Sequence, residues 1–211
     1  MSATVPMVRA TPRRLIVALA SMGGLDALTG LLGGLADDFP VPLLVVQHGR
    51  RGPSQSLAAV LRRRVGLPVR CAEQGPSLLE PGVTVLPKGA LPIVSAAGLL
   101  IDGERCDSMP GDAVLSSAAR AIGAGLIAVV LTGMLRDGAE GVRSVKRHGG
   151  RVLVQDPLTA AASGMPLSAI ATGCVDFVLP VAHLAPALVA LTMAPGGGDF
   201  LAVTPPSWAR V

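Results

Sequence analysis

Short uncharged aliphatic runs alternate along this chain with longer stretches whose apolar positions recur every three or four residues. Leu15–Ala20 (LIVALA), Leu43–Val46 (LLVV) and Ile127–Leu131 (IAVVL) are continuous, as strands buried on both faces of a parallel sheet require. Val152–Val154 and Val175–Leu179 read as further strands. Between them the helical period predicts helices over Leu25–Leu35, Ser54–Arg64, Asp112–Ile122, Asp137–Arg147 and Val181–Leu191. Pro53 suits a helix start, and Gly66 and Gly149 fall where helix ends are expected. Strand–helix–strand repetition implies right-handed crossovers, so the predicted fold class is α/β, a doubly wound, mostly parallel sheet.

Residues 67–101 break the rhythm. Short β-like pieces (Val69–Cys71, Val83–Leu86, Leu91–Val94, Leu99–Ile101) are separated there by Pro and Gly turns. They predict a short antiparallel β extension rather than a second domain. The expected organisation is an N-terminal tail over 1–12, one α/β domain over 13–194 and a Gly/Pro-rich C-terminal tail over 195–211.

Composition narrows this picture. Half of the 211 residues are hydrophobic but only three are Phe, one is Trp and none is Tyr, so the core must be aliphatic. A net charge of +4, without a long basic run or aromatics for base stacking, argues against nucleic acid as a partner. Arg62-Arg63-Arg64 reads as a solvated helix face. Cys71, Cys106 and Cys174 form no CxxC pair, which argues against a disulfide framework and a zinc site and fits reduced cytoplasmic thiols. Residues 15–36 lack Lys and Arg, but five glycines and Asp26 interrupt them, so neither a signal peptide nor membrane insertion is expected.

Ligands of open parallel sheets bind outside the carboxyl ends of the strands. Ser21 follows the first run, His48 the second, and Asp137 lies six residues beyond the Ile127–Leu131 run. A hydroxyl, an imidazole and a carboxylate therefore fall on one rim, as a serine-nucleophile triad needs. Gly23 and Gly24 permit a tight turn into a helix, leaving backbone N–H groups for an oxyanion. Each residue also has a structural reading: Ser21 and Asp137 as helix caps, His48 as a hydrogen-bonded strand-end histidine. Spacing alone leaves both readings standing. A phosphate loop does not fit, because neither GxxxxGK[ST] nor GxGxxG is present, and the G-x-S-x-G elbow is also missing.

At these residues the sequence resembles the chemotaxis receptor methylesterases, the CheB catalytic domain. Ala18–Leu28 (ALASMGGLDAL) is similar to that family's nucleophile segment, Val45-Val46-Gln47-His48 to its histidine strand, and Val130–Gly141 (VLTGMLRDGAEG) to its aspartate block. Gln155-Asp156 and Gly164-Met165-Pro166 resemble a later block, and the likeness runs from about Arg14 to Leu191. The resemblance implies a cytoplasmic serine hydrolase cleaving glutamate γ-methyl esters on the cytoplasmic helices of methyl-accepting chemoreceptors, with possible glutamine deamidation. By position it implies Ser21 as nucleophile, His48 as base and Asp137 as orienting acid. Met22, Gly23 and Met134 would line the oxyanion and substrate site, with no metal or organic cofactor.

The rim departs from the family pattern. Met22 stands where Thr is usual, Leu135 where Gly is usual, and Pro157-Leu158 where an acid is common. Gly49–Ser54, Pro87–Pro92 and Glu104–Asp107 also differ. Only about a dozen residues precede the first strand, too few for the family's receiver domain. Two other readings follow from the altered rim: a non-catalytic module that binds receptor or partner, and a related serine esterase or amidase with another substrate.

Overall fold

The computed structural model describes residues 14–48, 54–72, 75–77, 80–87, 90–95, 98–105 and 109–193. Seven strands form one all-parallel sheet: β1 (Leu15–Ala20), β2 (Pro42–Gln47), β3 (Val69–Cys71), β5 (Gly82–Val85), β8 (Leu126–Val130), β9 (Arg151–Gln155) and β10 (Phe177–Leu179). Their spatial order is β10-β9-β8-β1-β2-β5-β3. A smaller antiparallel sheet, ordered β4-β7-β6, comprises β4 (Gly75–Ser77), β6 (Ala90–Ser95) and β7 (Gly98–Arg105). The helices are α1 (Gly24–Gly33), α2 (Ser54–Arg64), α3 (Pro110–Ile122), α4 (Ala139–Arg147), α5 (Gly164–Ile170) and α6 (Val181–Met193).

The continuous apolar runs have a direct cause in this architecture. All six residues of β1 are buried, and alternate ones face opposite layers. Ile16, Ala18 and Ala20 pack with Leu28, Leu31, Leu61 and Leu188 of α1, α2 and α6. Leu15, Val17 and Leu19 pack with Val114, Leu115, Val142 and Met165 of α3, α4 and α5. Val94, Leu99 and Ile101 bring the small sheet onto that second layer. At about 25 cal/mol per Å² of apolar surface, such two-sided burial is the main force fixing the sheet.

The antiparallel extension exists but is smaller than the sequence pattern implied. Val69–Cys71 and Val83–Val85 belong to the parallel sheet, with β5 between β2 and β3. The Pro and Gly turns between these pieces predict antiparallel pairing. Instead Gly82, at φ +100, redirects the chain so that Val83 N donates to Pro68 O. Helix α5 is an element that the periodicity did not reveal, since it has only seven residues and contains Pro166. The last strand covers only Phe177–Leu179 of the expected Val175–Leu179, because Asp176 instead accepts Lys146 Nζ and Val152 N, each at 2.7 Å. That buried cluster lies at the amino end of β9. Arg62, Arg63 and Arg64 are exposed on α2, as a solvated face predicts. The expected tails and Cys106 lie outside the described residues.

Candidate active site

β1 is flanked by β2 on one side and β8 on the other, so its carboxyl end is where the strand order reverses direction. Hydrogen bonds carry the three strand ends forward together. His48 N donates to Ala20 O at 2.8 Å, and Ser21 N donates to Thr132 O at 2.9 Å. Ser21 therefore sits between the continuations of β2 and β8. It does not cap α1: the cap position is Gly23, in the left-handed region at φ +73, with no side-chain cap bond. The Ser21 hydroxyl makes no hydrogen bond among the described residues.

Close approach to Ser21 demands glycine at position 133. A Cβ there would collide with the Met165 sulfur and lie 2.8 Å from Ser21 Cβ. Thr132 braces the same turn. Its hydroxyl donates to Met22 O at 2.9 Å and accepts from Ala162 N at 2.9 Å, while its N–H is held by Gln155 Oε1 at 2.9 Å.

His48 Nδ1 lies 2.9 Å from Asp137 Oδ2. A carboxylate can only accept, so Nδ1 is the donor of this bond, and in the neutral imidazole Nε2 then keeps its lone pair. Asp137 is 3% exposed and serves a helix start, but not that of α4, which its chain position suggested. Gly111 N donates to its Oδ2 at 3.1 Å and Asp112 N to its Oδ1 at 3.2 Å, both from the first turn of α3. Asp112 in turn accepts from Gly141 N, in the first turn of α4, at 2.7 Å. Burial pushes the Asp112 carboxyl above the usual carboxylate value, against the lowering effect of the Gly141 amide, and the charges of Asp137 and Glu140 add to the rise.

The remaining expected positions surround Ser21. Met22, 56% exposed, directly follows Ser21, and Met134, 53% exposed, directly follows Gly133, where a Cβ would touch Ser21. The N–H groups of Met22 and Gly23 have no acceptor among the described residues, leaving two donors beside the hydroxyl. Leu135 is 71% exposed and holds φ +65, the left-handed region that glycine favours. Of the altered stretches Gly49–Ser54, Pro87–Pro92 and Glu104–Asp107, residues 49–53, 88–89 and 106–107 lie outside the described residues. Among the described residues no His, Cys, Asp and Glu side chains cluster in a set able to hold a metal, and no helix is long and apolar enough to cross a membrane.

Asp112, Thr132 and Gln155 were not singled out from the sequence as site residues. For Asp112 the usable signal was a carboxylate in a helix first turn. For Gln155 it was a polar residue ending an apolar strand.

The CheB methylesterase family model matches residues 16–188. A protein-glutamate methylesterase/protein-glutamine glutaminase of Anaeromyxobacter dehalogenans is 41% identical over 87% of this chain and 55% of its own length. A protein of the same description from Rhizobium meliloti, of the group 3 operon, is 37% identical over 88% of this chain and 54% of its own. The chain thus spans about half the length of the curated relatives it matches. The crystal structure of the Thermotoga maritima CheB methylesterase catalytic domain superposes with a TM-score of 0.77 at 33% identity, covering 85% of this chain and 98% of that one.

Proposed function

The chain belongs to the CheB methylesterase family, and on that footing we propose that it is a cytoplasmic serine hydrolase acting on glutamate γ-methyl esters of chemoreceptor helices. The relatives' names extend the reading to glutamine side chains, whose amide is hydrolysed by the same steps. The observation that carries it is the 2.9 Å bond from His48 Nδ1 to Asp137 one strand away from Ser21.

In this mechanism Ser21 Oγ attacks the ester carbonyl carbon while His48 Nε2 takes the hydroxyl proton. Asp137 holds the ring in that tautomer and stabilises the imidazolium. The oxyanion that forms is met by the Met22 and Gly23 amides, with Met134 and Met22 shielding it from water. Collapse breaks the C–O bond to the methoxy group, and His48 returns the proton so that methanol leaves. Water, deprotonated by His48, then attacks the acyl-serine and releases the glutamate carboxylate and free Ser21. Catalytic contacts commonly tighten only with substrate in place, and the Ser21–His48 hydrogen bond is assigned to that complex.

Ser21→Ala should keep the melting temperature and lose about 10³-fold or more of methanol release from a methyl-esterified receptor helix. Turnover equal to the parent would remove the proposal.

A further inference from the structure

We propose that Asp112 is a positioning residue for the Asp137–His48 pair, clamping the start of α4 to the start of α3 so that the Asp137 carboxylate stays aligned on the ring. This rests on the reading of Ser21, His48 and Asp137 as catalytic. The two helix starts exchange carboxylates. Asp137, on the approach to α4, takes the Gly111 and Asp112 amides of α3, and Asp112, inside α3, takes the Gly141 amide of α4. Neither helix supplies a side-chain cap of its own: the cap positions are Met109 and Gly138, the latter at φ +97. Pro110, first in α3, has no N–H to give, so the next two amides both serve Asp137.

The two starts pack closely through Gly111 and Gly141. A Cβ on Gly111 would lie 2.9 Å from Asp137 Oδ1, and one on Gly141 would lie 2.6 Å from Leu115 Cβ and 3.2 Å from Asp112 Cα. At this spacing a shift of α4 is transmitted to Asp137, two residues before its first turn. The charged and titratable groups facing Asp112 are Asp137 and Glu140, with His48 beyond Asp137. None of these can replace its bond to Gly141 N, because that contact needs an acceptor on α3. Displacing a catalytic group by about 1 Å can cost on the order of 10²-fold in rate.

The test uses the whole chain, a methyl-esterified receptor helix as substrate, and ¹⁵N shifts of the His48 ring, which report the protonated nitrogen. Asp112→Ala should lower kcat about tenfold or more, leave KM within about twofold, and lose the Nδ1-protonated signature. Asp112→Asn keeps an oxygen for Gly141 N and should stay within about threefold of the parent, with the signature intact. Should Asp112→Ala not fold, Asp112→Ser, one atom too short to reach Gly141, is read the same way. Parent-like kcat and ring shifts in the Ala or Ser variant overturn the proposal, as does Asp112→Asn behaving as badly as Ala. If the parent hydrolyses no ester, the functional reading fails while the ring shifts still decide this one.

Discussion

Asp137→Asn probes how the site fixes the protonation of His48. Three donors point at the native carboxylate: His48 Nδ1 and Gly111 N at Oδ2, and Asp112 N at Oδ1. The asparagine amide has one accepting oxygen, so one backbone donor loses its partner either way. With the oxygen on the Oδ2 side, the orphan is Asp112 N, on a half-buried residue that water reaches. With the amide reversed, the orphan is Gly111 N, which is buried, and His48 must accept from the NH₂ and so place its proton on Nε2. An orphaned buried N–H costs about 1–3 kcal/mol, so the first orientation wins and the productive tautomer survives. What is lost is the charge on the acceptor, about 1–2 kcal/mol of imidazolium stabilisation, or a fall in kcat of roughly five- to thirtyfold. An inverted tautomer would instead cost on the order of 10⁴-fold. Steady-state methanol release, paired with ¹⁵N shifts of the ring, separates the cases. A loss near 10⁴-fold with Nε2 protonated refutes the donor counting, and no loss at all refutes the role given to Asp137.

Gly133→Ala should destabilise by about 1–3 kcal/mol in a urea melt, because its methyl group meets the Met165 sulfur and Ser21 Cβ, and kcat should fall with it. Leu135→Gly should leave stability within about 1 kcal/mol of the parent or raise it, since relief of a left-handed backbone offsets glycine's entropy; a loss of several kcal/mol would show that the leucine side chain packs. Asp112 has a raised carboxyl pKa in the folded state, so it binds its proton more tightly folded than unfolded, and stability falls as pH rises from the ordinary value of 3.8 through the folded one. Asp112→Asn lacks that titration. Relative to the parent it should therefore gain ground as pH rises above 3.8 in paired urea melts, and a difference that stays constant with pH would contradict this.

The parallel strands and long helices were legible because two-sided burial writes itself as unbroken aliphatic sequence. Ser54–Arg64 was read to the residue, and β1 likewise. The partners of the short strands were not legible. Three residues such as Val69–Cys71 carry no mark of which neighbour they join, and the decision rests on where α2 returns the chain. Ser21, His48 and Asp137 could be nominated because strand-end position follows from the strand pattern alone. The caps could not. Gly23 displaced Ser21 as the cap of α1, and the carboxylates of Asp112 and Asp137 each serve the other's helix. An acid near a helix start reads the same whichever helix it serves, and only the packing of α3 on α4 decides.

The strand that delivers Ser21 is the middle one of seven, covered on both faces and bonded along both edges. Fraying that begins at β10 or β3 must consume several neighbours before it reaches that hydroxyl. Heat inactivation should consequently coincide with cooperative loss of the entire sheet, and the amides of residues 16–20 should be among the slowest in the molecule to exchange with deuterium.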